Sequence, residues 1–230
     1  MVKVKKILRI VSCVLSLMLV YAYLCFVFIP KDVSDWGGDK YYHAKGFIGE
    51  PDDSLDIIMF GHSGVYSGFS PVTLYKEYGY TSYASSTASQ PIKKINDLLE
   101  KAVKRQKLKV VFLDVDCLYV RFPLIRYYDS LFAPFVFHAR WKNLKPRDFY
   151  LAPGVRTQDV TKGYKFSAEI SGYQPGEYMG KADAKPAAPK KVHLSGLNRF
   201  VKICRKNDIQ IVFSEFANAT SWSYARHNFI

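Results

Sequence analysis

The chain has 230 residues, room for one membrane anchor and one domain, and its 49% hydrophobic and 23% charged residues exclude wholesale disorder. A formal net charge of +13 suits either polyanions such as acidic polysaccharides or lipid headgroups, or simply a solvated basic surface. The four cysteines lack a CxxC pair, which excludes a disulfide framework and argues against redox or zinc chemistry, although Cys117 and Cys204 leave room for one disulfide.

In chain order, residues 10–29 carry no charge and at 1.5 Å per residue would span ~30 Å, the thickness of a bilayer hydrocarbon core. Lys3, Lys5, Lys6 and Arg9 precede this run, and Asp32, Asp35 and Asp39 follow it. The positive-inside rule therefore predicts a cytoplasmic N-terminus, a single pass through the plasma membrane and a domain on the outer side, away from nucleic acid. No small-x-small cleavage site follows the run, which favours an uncleaved anchor over a signal peptide. On this reading residues 1–30 are a basic tip and anchor, and residues 31–54 are a polar stem.

Residues 55–60 (LDIIMF) form a short apolar run ending in Gly61-His62-Ser63-Gly64, which suits a buried strand entering a tight loop. Ser70-Pro71 supplies an N-cap and a first helical residue, with Gly79 as the stop. A second short strand is expected over 81–84. The spacing of Ile92, Ile95, Leu98, Leu99, Ala102 and Val103 predicts an amphipathic helix over 91–107. The run 109–115 (KVVFLDV) reads as another buried strand.

Residues 117–191 read as an insertion, aromatic and proline-punctuated before an Ala/Pro/Lys link at 180–191. Leu194, Leu197, Val201 and Cys204 stripe a helix ending near Asn207, residues 209–213 (IQIVF) form a strand, and Thr220-Ser221 begins a last helix. Asn218-Ala219-Thr220 matches a glycosylation sequon, which matters only in a eukaryotic secretory route.

Alternation of strands and helices argues for a mostly parallel sheet covered on both faces, with ligands bound beyond the carboxyl ends of its strands. That edge would gather Ser63, Asp114, Asp116 and Glu215. A serine on the first turn after a buried strand suits a nucleophile held on a rigid scaffold, although serine in a Gly-rich loop also serves as turn or cap. Asp114 and Asp116 share one strand face and either orient a substrate or base, or accept loop N–H groups.

The block 56–71 (DIIMFGHSGVYSGFSP) resembles the first block of the SGNH/GDSL hydrolases, most closely a cell-envelope branch in which a strand leads into Gly-Ser-Ser-His and a Gly-x-x-Pro stretch. Residues 80–91 (YTSYASSTASQP), the strand at 109–114, Arg140-Trp141-Lys142 with Asp148-Phe149, and the stretch 213–228 resemble later segments, so the likeness is colinear over about 55–230. The resemblance implies a flavodoxin-like, doubly wound parallel sheet of the SGNH type, preceded by one transmembrane helix. It also implies a serine esterase or O-acyltransferase acting on cell-envelope polysaccharide, related to the teichoic acid D-alanine transfer protein and to polysaccharide acetyltransferases. Ser63 would be the nucleophile, its own backbone N–H helping to hold the oxyanion. Ser85, Gln90, Asp114 and Asp116 are the candidates for substrate binding or oxyanion support. Expected partners are the membrane, an envelope polysaccharide or teichoic-acid-like polymer, and other envelope biosynthesis proteins.

The chain also departs from the family pattern. His62 stands where serine usually precedes the nucleophile, Gly64 replaces the usual histidine or acidic residue after it, and the glycine and asparagine that complete the oxyanion hole have no clear match. The Asp-x-x-His that supplies the general base occurs nowhere in the sequence. The domain is therefore expected to be incomplete at its C-terminus and inactive in this form, because a serine hydroxyl without a base is a poor nucleophile. Adjacent side chains on a turn tend to diverge, so His62 is not expected to serve Ser63. His43, His138, His193 and His227 read as surface or packing histidines. No metal or cofactor is expected, and a non-catalytic polymer-binding or assembly module is the alternative function.

Overall fold

Four buried or half-buried runs, β1 (Ile57–Gly61), β2 (Ser82–Ser86), β3 (Val110–Asp114) and β4 (Gln210–Ser214), pair in parallel in the order β2-β1-β3-β4. The computed structural model describes residues 2–120, 128–156, 158–167, 184–216 and 223–230. Parts of the insertion, the start of the Ala/Pro/Lys link, the sequon and the Thr220-Ser221 helix start lie outside the described residues.

Alternation along each strand divides the core into two layers. Ile58, Phe60, Val111 and Leu113 point to one face and pack with Ile92, Ile95 and Leu99 of α5 (Ile92–Ala102) and with Phe200 and Cys204 of a long later helix, α7 (Lys191–Lys206). Met59 and Ala84 point to the other face, where Val65, Phe69, Phe112 and Phe216 cover them. Each such side chain removed from water contributes about 1.5–3 kcal/mol, so the larger layer dominates the stability of the sheet. The two helices of that layer meet closely at Gly196, where a Cβ would approach Ile92 Cγ2 to 2.7 Å, and Asn96 Nδ2 donates to the Gly196 carbonyl at 2.9 Å.

The local signals set the helices. In α4 (Pro71–Tyr78) the Ser70 hydroxyl accepts from the Thr73 N–H at 3.3 Å and Gly79 ends the helix at φ 75°. The helix predicted over 91–107 stops at Ala102. The Arg105 and Gln106 N–H groups fold back to the Ala102 carbonyl, and the Gln106 side chain turns away to bind residues 51, 54 and 55. A short helix not expected from the sequence, α3 (Ser63–Gly68), starts directly after β1. Cys117 and Cys204 are buried free thiols, so the disulfide left open by the sequence does not form.

By its contacts the chain divides into two compact units, Met1–Tyr42 with Pro123–Arg156, and His43–Phe122 with Thr157–Ile230. The second unit holds the sheet. The segment 31–54, read from its polarity as a stem, is built into both. Its later part forms a 3-10 helix (His43–Gly49) that buries Phe47 in the main core, while its earlier part, including α2 (Gly38–Tyr42), belongs to the first unit.

The first unit is built on α1 (Val2–Phe28), which is long and apolar enough to cross a membrane. Its last turn leaves carbonyls without partners inside the helix, and side chains both near and far along the chain satisfy these and the next carbonyls. Arg140 donates to the Val27 and Ile29 carbonyls at 3.0 and 2.9 Å, Lys31 Nζ to that of Phe26 at 2.5 Å, and the Tyr42 hydroxyl to that of Pro30 at 2.7 Å. Two cations at the negative end of the helix dipole are electrostatically favourable. Arg140 is 1% exposed, and Asp148 (2.7 Å) and Asp35 (3.4 Å) offset its charge. Around this point Cys25, Ala133 of α6 (Ala133–Val136) and Phe137 form a small core.

Candidate functional site

Connections from β1 run to one side of the sheet through β2 and then back to the other side through β3, so the strand order reverses between β1 and β3. In open parallel sheets the crevice for ligands opens beyond the carboxyl ends at such a point. His62 and Ser63 follow β1 there; Asp114 ends β3, and Asp116 lies in the 3-10 turn after it and not on the strand face that the sequence suggested.

The two strand ends approach closely because Gly61 has no side chain. A Cβ at that position would overlap the Asp114 side chain and come within 2.8 Å of its Oδ2. Asp114 is fully buried and accepts the His62 N–H at 3.4 Å and the Asp116 N–H at 3.2 Å, thereby capping the 3-10 turn Val115–Tyr119. The role of accepting loop N–H groups is therefore filled. The same carboxylate also faces a charge partner: His62 Nε2 lies 3.5 Å from Asp114 Oδ2 and 3.4 Å from Asp116 Oδ2.

His62 is the N-cap of α3, and this position turns its ring back over the helix start. Its Nδ1 accepts the Gly64 N–H at 3.1 Å and lies 3.4 Å from Ser63 Oγ. The expectation that the two adjacent side chains diverge is thus not met, because capping folds the first onto the backbone beside the second. An N–H donor at Nδ1 assigns the ring proton of the neutral imidazole to Nε2, where Asp116 accepts it and Asp114 faces it as a charge. Ser63 is half-buried, and Phe216 lies over Gly64 and Gly68 of its helix.

Burial opposes charging the His62 ring, but its bond to Asp116 and the charge of Asp114 outweigh burial, so its pKa is raised above the ordinary 6.5. Burial pushes the Asp114 carboxyl up to about 6; the neighbouring Asp116 adds to this and His62 opposes it. On the outer side Arg226 of α8 (Tyr224–His227) reaches Asp116 at 3.7 Å while its guanidinium sits over the Tyr119 ring at 4.9 Å.

By distance alone His62, Asp114 and Asp116 could hold a divalent cation, since one ligand atom from each lies within 4.8 Å of the others. The proton arrangement does not fit one. A metal-bound imidazole donates from its second nitrogen, whereas here that nitrogen is the acceptor of the Gly64 N–H.

The remaining sequence candidates are used elsewhere. Ser85 is buried and its hydroxyl donates to the Ala44 carbonyl at 2.6 Å. Gln90, also buried, donates to the Ser85 carbonyl at 3.0 Å and accepts from the Thr87 hydroxyl at 3.0 Å, bracing the turn between β2 and α5. Glu215 pairs with His227 at 2.7 Å. Ser63, Asp114 and Asp116 therefore come together, and the residues that sequence reasoning did not assign to them are His62 and Arg226. The N-cap position of His62, immediately after a buried strand, was the one local signal for its role; Arg226 left none. Compared with family models, with curated proteins and with solved structures, the chain matches none.

Proposed function

We propose that the chain is a membrane-anchored serine esterase or O-acyltransferase with a flavodoxin-like, SGNH-type sheet, acting on acyl groups of cell-envelope polysaccharide. One observation carries the reading: at the reversal point of the sheet, Ser63 Oγ stands 3.4 Å from His62 Nδ1, and the opposite nitrogen of that ring faces Asp116 and Asp114.

In this reading Ser63 Oγ attacks the acyl carbonyl and its proton passes to His62 Nδ1, which exchanges the Gly64 N–H for the serine hydroxyl. The carboxylates at Nε2 stabilise the imidazolium, as the acid of a Ser-His-Asp arrangement does. The Ser63 N–H supports the oxyanion. The ester bond to the leaving alcohol breaks, the alcohol takes the proton back from His62, and water or a sugar hydroxyl then releases the acyl group from Ser63. Without the four cations of the basic tip the net charge is 13 − 4 = +9, which suits an acidic envelope polymer as acceptor or donor. His62 thus takes the part of the base that the missing Asp-x-x-His would otherwise supply.

A second reading, a non-catalytic module that binds envelope polymer, is favoured by the Gly64 N–H already occupying His62 Nδ1. A fluorophosphonate probe on the detergent-solubilised chain separates the two. The expected result is labelling that Ser63→Ala abolishes and that quickens as pH rises through the raised pKa of His62. A wild-type chain that resists the probe from pH 6 to 9, or labelling unchanged in Ser63→Ala, overturns the esterase reading.

A further inference from the structure

α1 is ~40 Å long at 1.5 Å per residue, and its outer end does not stand alone. The Tyr21 hydroxyl donates to the Leu131 carbonyl at 2.7 Å and the Tyr23 hydroxyl to the Phe149 carbonyl at 3.2 Å. The segment 128–151 therefore flanks α1 well before its last residue, Phe28. Five to seven residues of helix separate these tyrosines from that end, a depth of ~8–11 Å along the axis. At that level the segment turns large apolar side chains outward: Leu131, Phe132, Phe135, Phe149 and Tyr150 are all exposed, Phe135 by 64% and Tyr150 by 74%.

These features suit lipid. An apolar surface beside an apolar helix continues the same solvent requirement, and aromatic residues concentrate where acyl chains meet headgroups. Interfacial helices sink their apolar faces about 5–10 Å into that boundary, which matches the depth set by the two tyrosines. A backbone carbonyl at such depth needs a partner inside the protein, and the tyrosine hydroxyls supply one at both contact points. Among the charged residues of the segment, Arg140 and Asp148 are buried and Arg147 pairs with Asp35 at 2.7 Å, while Lys142 and Lys145 stay exposed, as long cationic side chains do beside lipid headgroups.

We infer that residues 128–151 form a collar around the outer end of α1 that is seated in the lipid interface. The segment is then part of the membrane-contacting surface and not an insertion displayed to solvent. The inference rests on α1 spanning the bilayer, and the test separates the two claims.

The full chain with Trp36, Trp141 and Trp222 changed to Phe is reconstituted into phosphatidylcholine–phosphatidylglycerol vesicles whose acyl chains carry bromine at positions 6,7 or 11,12. Two single reporters are compared, Phe149→Trp in the collar and Leu15→Trp within α1. The expected result is blue-shifted Phe149→Trp emission, quenched more by 6,7-bromine than by 11,12-bromine, with Leu15→Trp quenched most by the deeper label. Quenching of Leu15→Trp without Phe149→Trp overturns the collar and leaves the anchor standing. Quenching of neither overturns both. Blue emission from Phe149→Trp that no bromine reaches marks a surface covered by protein, a second copy included, and also overturns the collar.

Discussion

Two buried charge clusters in this chain are built on opposite principles. Around Arg140, one guanidinium meets two carboxylates and two helix-end carbonyls, and the second carboxylate, Asp35, also receives Arg147 at 2.7 Å. At the sheet, two carboxylates converge on a single imidazole, and among the described residues the cation Arg226 stays 3.7 Å from Asp116. The first cluster is closed around its carboxylates, each with a guanidinium in hydrogen-bonding geometry, while burial lowers the pKa of the neighbouring Lys31 ammonium to about 8. The second is not closed: burial pushes Asp114 up to about 6, and the two carboxylates raise His62 above its ordinary value against the effect of burial. Structural ion clusters settle their charges, whereas sites that move protons keep groups near the point of titration. That contrast separates the cap of α1 from the candidate site.

The largest effect expected from breaking the contrast is at the closed cluster. Arg140→Ala leaves Asp148 and Asp35 buried without their shared cation and removes the cap from α1. A loss of about 3–5 kcal/mol follows, read as a collapse of the thermal transition in detergent. An Arg140→Ala protein with unchanged stability would mean that the cluster is not closed in the way described.

The open cluster predicts the opposite sign. The folded-state pKa of Asp114 lies above its ordinary value, so the proton is held more tightly in the folded chain. The stabilisation is full below about pH 3.8 and is lost as pH rises through about 6. Asp114→Asn imitates the protonated form at every pH. It should be more stable than the wild type at pH 8, by on the order of 2–3 kcal/mol, and little different at pH 4. Denaturant melts at the two pH values measure this, and a variant less stable at pH 8 would show Asp114 to be a settled structural charge.

Smaller effects sharpen the picture. Ser70→Ala removes the N-cap of α4, outside both clusters, and should cost about 1 kcal/mol in the same melts. Ser63→Ala should change stability by less than about 0.5 kcal/mol while eliminating probe labelling, the mark of a side chain kept for chemistry and not for packing.

The sheet was legible because its cues are local. The apolar runs at 55–60, 109–115 and 209–213 are short and bounded by turn residues, and the corresponding strands lie at 57–61, 110–114 and 210–214. The helix over 191–206 and the cap pair Ser70 and Gly79 were legible for the same reason. The end of α5 was not, since the side chain of Gln106 turns toward residues 51–55, a contact invisible to helical periodicity. Of the site, Ser63, Asp114 and Asp116 could be placed on one edge from strand ends alone. The meeting of His62 with two carboxylates more than fifty residues away could not, because it depends on Gly61 letting β1 and β3 close together.

Alternation, capping residues and one long uncharged run thus determined by themselves that this chain has a parallel α/β sheet and a helix long enough to cross a membrane. Each of these is set by neighbours within a few residues. Tertiary structure alone decided which charges meet: Arg140 with the end of a helix more than a hundred residues earlier, and His62 with Asp114 and Asp116. Charges act through space, and only folding sets the distances between residues so far apart in the chain.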